Sequence, residues 1–431
     1  MTKNKVVYVP LAVDFIHSGH INILKKASDY GKVTVGLLTD KAIAKYKKIP
    51  LITFEERRKI VSGIKYVSHV VKQDTSNYEE TIKKHKPHFF AHGNDWKFGP
   101  MKKVRNSVFK SMKEIGGKVL EFPYTKNISA SEIKEKILDQ YKPFDRISLL
   151  KRMIENHKHI RLIESHSALT GMIIEELSVT NKNKKLEFNG MWSSSLTDSL
   201  LLGMPDNQSV DYSTRINNLV NLTKKTTKPI LFDADNGGEK HLIPYLIRNM
   251  EFNGISGICI EDKTGEKINS LFENQSKSKQ ESIANFCEKI RLIYKTRRNK
   301  DFYIVARIES LILGKTVNDA LKRAFAYVKA GADAILIHSK DKNAKSVIDF
   351  SKKFKKKFPQ IAVICVPSTY SSSHEKKLFS SGINVVIYAN QLLRASYFAM
   401  LKAASKILKY QRAYETEKEL VNIKKIISLI K

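Results

Sequence analysis

Residues 228–235 read KPILFDAD, and residues 255–262 read ISGICIED. Each is a short, strongly apolar run that ends in acidic residues, a pattern typical of a buried strand in a parallel sheet. Further runs of this kind are IRLIES (160–165), LEFNGMWSS (186–194), FYIVARIES (302–310), ADAILIHS (332–339), IAVICVPS (361–368) and INVVIYAN (383–390). Helix-length intervals separate most of them. Such a series of strand and helix units predicts an α/β fold, a closed (β/α)8 barrel of the TIM type.

Polar side chains follow these strands where each one ends. They are Trp192 and Ser194, Asp233 and Asp235, Glu261 and Asp262, Arg307 and Glu309, and His338 and Ser339. The active site of such a barrel lies at this face. Carboxylates on adjacent strand ends favour a Mg²⁺ site, with Asp233, Asp235 and Glu261 as candidate ligands. The alternative is a rim of acids paired with lysines, although neighbouring like charges after an apolar strand are costly without a cation.

The N-terminal region has the same alternation on a smaller scale. Strand patterns such as KVVYV (5–9) and KVTVGLLT (32–39) alternate with helical ones up to about residue 138. They predict a doubly wound, Rossmann-like nucleotide-binding domain over residues 1–138. A polar stretch over residues 139–158 predicts a helical connector. The barrel and its C-terminal helices then occupy residues 159–431.

The composition fits a folded, strongly basic protein. The chain has 431 residues, 42% of them hydrophobic, with 76 Lys and Arg against 43 Asp and Glu, a net charge of +33. The lysines are scattered along the chain, which favours a solvated basic surface over a nucleic-acid groove. We therefore expect no nucleic-acid and no membrane partner. The sequence has no signal-peptide pattern, and its cysteines lie far apart in apolar segments, which predicts a cytoplasmic protein with buried thiols.

A short motif follows the first strand. His17-Ser18-Gly19-His20 comes after Asp14 and opens a helix, where free backbone N–H groups can face an anion. Imidazoles at this place can stabilise the charge that builds up during phosphoryl transfer. The alternative interpretation is two loop histidines without a role.

Residues 5–138 resemble the HxGH nucleotidyltransferases, in particular small cytidylyltransferases. The matching pieces are HSGH (17–20), FEERRKI (54–60), KYVSHVV (65–71), GNDW (93–96) and ISASEI (128–133). The resemblance implies that His17 and His20 bind and stabilise the transferred nucleotidyl phosphate and that CTP is the nucleotide. The nucleotide-binding residues that it implies are Asp14, Arg57, Asp95, Trp96, Ser129 and Ser131. The family's GTFD turn is LAVD here (11–14), and Tyr124 stands where an arginine is often found.

Residues from about 160 to 410 resemble phosphoenolpyruvate mutase, within the isocitrate lyase superfamily. The matching motifs are WSSSL (192–196), GMPD (203–206), DADNGG (233–238), EDKTGEKINSL (261–271), VARIES (305–310), ILIHSK (335–340) and NQLLRAS (390–396). The resemblance implies phosphoenolpyruvate on Mg²⁺ held by Asp233, Asp235 and Glu261, mostly through water. The substrate contacts that it implies are Trp192, Ser194, Ser195, Leu196, Leu271, Glu309 and Ser339. Arg307 and His338 would hold the phosphoryl group, and Asp206 would be a transient nucleophile or an orienting group.

The loop that would close over the substrate distinguishes members of the superfamily. Lys267 and Asn269 lie in the form EDK…KINS, without the cysteine of isocitrate-type lyases. Phosphonopyruvate hydrolases carry threonine at the position of Asn269, so this residue favours a mutase. Ser195 replaces a glycine of the common form, and Glu266 replaces a proline.

The order of the two regions resembles the bifunctional mutase and cytidylyltransferase fusion of the fosfomycin pathway. It implies an isomerase that makes a carbon–phosphorus bond and a second, CTP-dependent activity on a small phosphonate. Two other hypotheses stay open. One is a monofunctional mutase, hydrolase or lyase with a degenerate front domain, and the other is a non-enzymatic basic binding protein. Family relatives form homo-oligomers, so we expect a tetramer or dimer.

Overall fold

The chain folds into two compact units, one up to Tyr141 and one from Lys142 onward. The computed structural model describes residues 5–45, 49–50, 52–97, 101–123, 146–156, 159–181, 184–265, 267–270, 275 and 278–430. The front unit and the barrel unit are described separately below.

The front unit is a five-stranded parallel sheet with helices between its strands. Its strands are β1 (Val6–Leu11), β2 (Lys32–Leu38), β3 (His69–Gln73), β4 (Phe89–Gly93) and β5 (Lys118–Phe122). Its helices are α1 (Ser18–Ser28), α2 (Asp40–Ile43), α3 (Phe54–Ser62), α4 (Glu79–His85) and α5 (Lys102–Glu114). The strand order β3-β2-β1-β4-β5 reverses direction between β1 and β4. Ligands of doubly wound sheets bind at such a switch point, so this order confirms the predicted fold and marks the end of β1.

The barrel unit contains all eight predicted strands. They are β6 (Ile160–Glu164), β9 (Gly190–Ser193), β10 (Ile230–Asp233), β11 (Gly257–Glu261), β14 (Tyr303–Ile308), β15 (Ala334–Ile337), β16 (Ala362–Cys365) and β17 (Val385–Tyr388). Parallel pairing closes them into a barrel in the order β10-β11-β14-β15-β16-β17-β6-β9. Nearly all of their residues are buried, which explains why each strand is an apolar run in the sequence. The (β/α)8 prediction is confirmed.

Helices follow the strands around the barrel. They are α7 (Ala168–Glu176), α8 (Ser195–Leu201), α9 (Tyr212–Lys225), α10 (Ile243–Phe252), α11 (Ile283–Thr296), α12 (Val317–Ala330), α13 (Lys345–Lys357), α14 (Glu375–Ser380) and α15 (Gln391–Tyr410). The short helices α16 (Tyr414–Glu417) and α17 (Ile423–Ile427) end the unit. No helix in the described part of the chain is both long and apolar enough to span a bilayer.

Two antiparallel hairpins accompany the barrel. One pairs β7 (Ser178–Asn181) with β8 (Lys184–Glu187), and the other pairs β12 (Lys263–Gly265) with β13 (Ser278–Gln280). The predicted strand LEFNGMWSS is therefore divided, because its first residues belong to β8 and only its later residues enter the barrel. Gly190 begins the barrel part, where a Cβ atom would lie 2.8 Å from the Pro229 carbonyl oxygen.

Part of the predicted connector packs on the barrel. Residues 146–156 are helical and form α6, and Ile147 and Leu150 of this helix are buried in the barrel's apolar clusters. Arg146 is buried and donates to the carbonyl oxygens of Thr223, at 2.8 Å, and Thr226. This helix is therefore part of the barrel unit.

Candidate active site

A cavity of about 600 Å³, open solvent included, lies at the carboxyl ends of the barrel strands. Most of the side chains predicted to act in the barrel line it. They are Trp192, Ser194, Ser195, Leu196, Asp206, Asp233, Asp235, Glu261, Lys267, Asn269, Arg307 and His338. Leu271 lies outside the described residues. The barrel thus brings together residues that are far apart in the sequence.

Three acidic side chains in this cavity are almost fully buried. Asp233, Asp235 and Glu261 are 4–6% exposed and follow the adjacent strands β10 and β11. Burial raises the pKa of Asp233, and it raises the pKa of Glu261 to about 7. Burial opposes ionisation of Asp235 too, but Lys267 and Arg215 outweigh it and lower the pKa of this carboxyl. Asp235 has a left-handed backbone, with φ of 48°, and its carbonyl accepts from the Glu261 N–H at 2.7 Å.

Lys267 connects the loop after β11 to the floor of the cavity. Its Nζ lies 2.6 Å from Asp235 Oδ1 and 3.0 Å from Ser195 Oγ, and it also pairs with Asp206 Oδ1. Asn269 Nδ2 donates to Asp206 Oδ2 at 2.5 Å. Ser195 Oγ in turn donates to Asp233 Oδ2 at 3.2 Å. Because burial lowers the pKa of Lys267 less than Asp235 and Asp206 raise it, the ammonium form is favoured.

Arg307 is the cation on the other side of the acids. Its Nη2 lies 3.1 Å from Glu261 Oε2, and its Nε donates to Glu309 Oε1 at 2.7 Å. His338 Nδ1 lies 3.0 Å from the same Glu309 oxygen and 3.0 Å from Arg307 Nη2. Burial and the charge of Arg307 lower the pKa of His338, which favours a neutral imidazole. A neutral ring can accept from Arg307 or donate to Glu309.

Glu309 and Ser339 are not in the wall of the cavity. Glu309 is completely buried, and its carboxylate accepts from Arg307 and from Ser270 Oγ at 2.7 Å. Ser339 is 1% exposed and accepts from the Asp341 N–H. Both residues thus lie behind the wall, and their contact with the substrate stays a prediction. Glu309 instead holds Arg307 in place.

Two residues beneath the acids were missed by the sequence analysis. Arg215 of α9 is 1% exposed, and its Nε donates to Asp198 Oδ2 at 2.9 Å. Its Nη1 lies 3.8 Å from Asp235 Oδ2, and the guanidinium lies 4.2 Å from the centre of the Phe232 ring. Arg215, held by Asp198, therefore places a second buried positive charge, besides that of Lys267, next to Asp235. Both residues come from helices, where a charged residue ordinarily indicates a solvent-facing side chain.

Lys263 anchors the closing loop from below. Its Nζ donates to the Ile268 carbonyl at 2.8 Å, to Ser270 Oγ at 3.2 Å and to Gln275 Oε1 at 3.3 Å. Gln275 Nε2 donates to the Asn269 carbonyl at 2.9 Å. These bonds fix the backbone from which Lys267 and Asn269 reach the cavity. In the sequence, Lys263 stood out only as part of the EDK motif.

The acids can be tested for their fit to Mg²⁺. Asp233, Asp235 and Glu261 offer hard oxygen ligands on adjacent strand ends, as Mg²⁺ prefers. Among the described residues, no group of three acidic, histidine or cysteine side chains is placed to hold a metal directly. The set therefore fits an ion that keeps several of its waters, and it does not fit direct coordination by all three side chains.

The front unit brings the HSGH histidines together at the end of β1. The rings of His17 and His20 have centroids 3.9 Å apart, and His17 Nδ1 accepts from the Gly19 N–H at 3.2 Å. Burial lowers the pKa of His17, which favours the neutral ring. Asp14 Oδ1 accepts from the Ile52 N–H at 3.2 Å. The site thus lies at the switch point of the sheet.

Other predicted nucleotide contacts are not at the surface of the front unit. Trp96 is 1% exposed, stacks on His92 at 4.0 Å, and donates to Glu121 Oε1 at 2.7 Å. Arg57 is also 1% exposed, and its Nη2 donates to Asp40 Oδ1 at 2.7 Å. Each side chain is enclosed by the unit and engaged by a carboxylate, and its contact with nucleotide stays a prediction. Ser129, Ser131 and the side chain of Asp95 lie outside the described part of the chain.

Comparison with known proteins matches a family model to each unit. Residues 150–408 match the family model described as phosphoenolpyruvate phosphomutase, and residues 13–136 match the cytidylyltransferase-like family. The phosphoenolpyruvate phosphomutase of Tetrahymena pyriformis is 34% identical over 281 residues, which are 65% of this chain and 89% of that protein.

Two further relatives bear on the chemistry. A crystal structure of phosphonopyruvate hydrolase in complex with oxalate and Mg²⁺ superposes with a TM-score of 0.58 at 27% identity. The alignment covers 65% of this chain and 94% of that one. Ethanolamine-phosphate cytidylyltransferase of Mus musculus is 44% identical over 86 residues, 19% of this chain and 21% of that protein.

Proposed function

Because this chain belongs to the phosphoenolpyruvate phosphomutase family, we propose that its barrel interconverts phosphoenolpyruvate and 3-phosphonopyruvate in phosphonate biosynthesis. The observation that carries the proposal is the cluster of Lys267, Asn269 and Asp206 over the buried acids of the cavity. Lys267 and Arg307 supply positive charge for an anionic substrate, and the loop that carries Lys267 restricts access of water. A mutase needs both, because a phosphoryl group in transit must not reach water.

The reaction is an isomerisation, so it needs no oxidant or second substrate. The bond between phosphorus and the enol oxygen breaks, its electron pair stays on the enolate of pyruvate, and C3 of that enolate forms the new bond to phosphorus. Arg307 and Lys267 stabilise the anionic oxygens while the group is in transit. His338, held by Glu309, orients the same oxygens. A Mg²⁺ ion held through water by Asp233, Asp235 and Glu261 would neutralise charge on the substrate oxygens.

One substitution can decide whether Asp206 acts as a transient nucleophile or as an orienting group. Both of its carboxylate oxygens are engaged, one by Lys267 and one by Asn269. A transient nucleophile must form a bond to phosphorus, which an amide in its place cannot do. An orienting group needs only its hydrogen bonds. Asp206→Asn that keeps clearly more activity than Asp206→Ala would indicate the orienting part.

Hydrolysis of phosphonopyruvate is the second candidate for the barrel, favoured by the similarity to phosphonopyruvate hydrolase. The experiment is a ³¹P NMR time course with phosphonopyruvate and Mg²⁺. A mutase converts the phosphonate signal into that of phosphoenolpyruvate. Inorganic phosphate with an equal amount of pyruvate would overturn the mutase assignment.

For the front unit we propose transfer of a cytidylyl group from CTP to a small phosphonate. The close pair His17 and His20 at the switch point and the cytidylyltransferase-like match support this. The test is pyrophosphate release from CTP with 2-hydroxyethylphosphonate, with ATP, GTP and UTP as controls. No release above the control without acceptor would show that the front unit is not active on that phosphonate.

We propose further that the chain is a homo-oligomer. Apolar side chains along α15 support this, since Phe398 is 67% exposed and Leu408 is 80% exposed in the single chain. Light scattering coupled to size-exclusion chromatography measures the mass. A mass of 49.2 kDa, that of one chain, would contradict the proposal.

A further inference from the structure

The motif NQLLRAS (390–396) has no part in the reaction as proposed, yet its first residue reaches the cavity. Asn390 follows β17 and lines the same cavity as Arg307 and Asp206. The residue is 7% exposed, and its Oδ1 atom is buried without a hydrogen-bond partner. A buried polar atom without a partner is costly, so it indicates a partner that the protein itself does not supply.

The backbone around Asn390 explains why its side chain is available. Asparagine before a helix usually caps it by accepting from an N–H group of the first turn. Asn390 precedes α15 but makes no such bond. The Leu392 N–H donates instead to Glu164 Oε2 at 3.0 Å, and Glu164 belongs to β6. Glu164 of β6 thus caps the helix, and the Asn390 carboxamide takes no part in capping it.

Asn390 lies on a part of the barrel rim that supplies none of the residues assigned so far. The groups with a proposed part come from β9, β10, β11, β14 and β15 or the segments after them. Asn390 follows β17. The cavity lining near it also includes Ala389, its neighbour in sequence, and Val366 and Ser368, which follow β16. In a largely apolar stretch, a single amide can fix the orientation of a small polar ligand.

We propose that Asn390 is a substrate-binding residue whose carboxamide donates an N–H to an anionic oxygen of the substrate. The identity of that substrate rests on the proposed function. An asparagine side chain carries an NH2 group with two donors beside its oxygen. Half a turn about its last bond exchanges the oxygen and the NH2 group, so that an N–H takes the place of the unpartnered Oδ1. The oxygen that it contacts belongs to the carboxylate or to the phosphorus-bearing end.

The test compares Asn390→Ala and Asn390→Asp with the parent, using oxalate as a probe of the carboxylate end and methylphosphonate as a probe of the phosphorus end. Fluorescence of Trp192, which lines the cavity, reports binding. We expect the dissociation constant of one probe to rise about tenfold in Asn390→Ala, since a hydrogen bond to a charged group is lost. It should rise further in Asn390→Asp, because a carboxylate repels the anion.

Asn343→Asp is the matched control. Asn343 is an exposed asparagine of the same unit, and its Oδ1 accepts from the Lys345 N–H, a bond that aspartate keeps. This variant adds the same charge and should leave both dissociation constants unchanged. The melting temperature without ligand should be close to that of the parent in all three variants.

Unchanged affinity for both probes, with an unchanged KM for phosphonopyruvate, would overturn the proposal. Loss of affinity for one probe supports it and names the end of the substrate that Asn390 holds. Because probe binding requires no turnover, a barrel that binds oxalate but makes no phosphoenolpyruvate would count against the proposed reaction and not against Asn390.

Discussion

The two candidate sites differ in how their charges are balanced. In the barrel cavity, each lining acid lies within 4 Å of a lysine or arginine, with Lys267 on Asp206 and Asp235 and Arg307 on Asp233 and Glu261. In the front unit the assembled groups are two imidazoles, and Arg57 is buried against Asp40 instead. A buried ion network loses much when one member is neutralised, because its partner stays charged and unpaired. Barrel substitutions should therefore change both activity and stability, and front-unit histidine substitutions should change activity alone.

Asp206→Ala gives the strongest test of this difference. It leaves Lys267 and Asn269 without their shared partner and should lower mutase activity by at least about 10²–10³-fold, the loss seen when a preorganised electrostatic contact is removed. The readout is the ³¹P NMR rate beside the melting temperature. The control is Asp349→Ala, which removes an exposed aspartate paired with Lys353. Full activity in Asp206→Ala would remove Asp206 from the mechanism.

His17→Ala should act on the front unit alone. We expect pyrophosphate release to fall by about 10²-fold, because one of the groups that stabilise the transferred phosphate is lost. The mutase rate of the same sample should equal that of the parent. A drop in both rates, or a large drop in melting temperature, would mean that His17 has a structural part. The proposed difference between the two sites would then be wrong.

Trp96→Phe tests whether Trp96 only stabilises the core of the front unit or also contacts the nucleotide. The indole is buried and donates to Glu121, whose pKa Arg105 and Trp96 lower to about 2 against the cost of its burial. We expect the front unit to melt a few degrees lower, as for a loss of about 1 kcal/mol. The KM for CTP should stay within about twofold, since burial leaves no direct contact to lose. A rise in the KM for CTP without any change in melting temperature would show that Trp96 contacts the nucleotide.

Glu261→Gln tests the charge balance of the barrel through pH. Burial raises the pKa of Glu261 from 4.5 in the unfolded chain to about 7. Folding therefore gains from protonation, and this contribution is complete below pH 4.5 and is lost as pH rises through about 7. Without metal or substrate, the melting temperature of the parent should fall over this range relative to that of Glu261→Gln. Parallel profiles for the two proteins would contradict the shift.

Ser195→Ala should have the smallest effect. The Ser195 hydroxyl links Lys267 of the closing loop to Asp233. Without it the loop is held less firmly, and we expect a loss of about tenfold or less in rate, as for one hydrogen bond. Water should enter more often, so ³¹P NMR should show more inorganic phosphate per phosphoenolpyruvate. An unchanged product ratio would show that this bond does not hold the loop.

The barrel was predictable from sequence because its strands are buried on both faces. Each strand is an apolar run that ends in polar residues, and this pattern depends only on neighbours in the chain. The partners of those polar residues were not predictable. Nothing local to Lys267 indicates that it meets Asp206 and Asp235, and Arg215 and Asp198 resemble ordinary helix surface residues. The buried position of Trp96 was not predictable either, since a motif does not tell which way a side chain points.

The left-handed backbone of Asp235 restricts how this cavity can change in evolution. A φ of 48° is tolerated by glycine, asparagine and aspartate and strained for most other side chains. Replacement by glutamate would keep the charge but strain the chain at the point where its carbonyl holds β11. Asparagine can thus replace Asp235 without changing the conformation of the turn, and this replacement removes a negative charge. Descendants that no longer need this carboxylate should carry asparagine or glycine at this position.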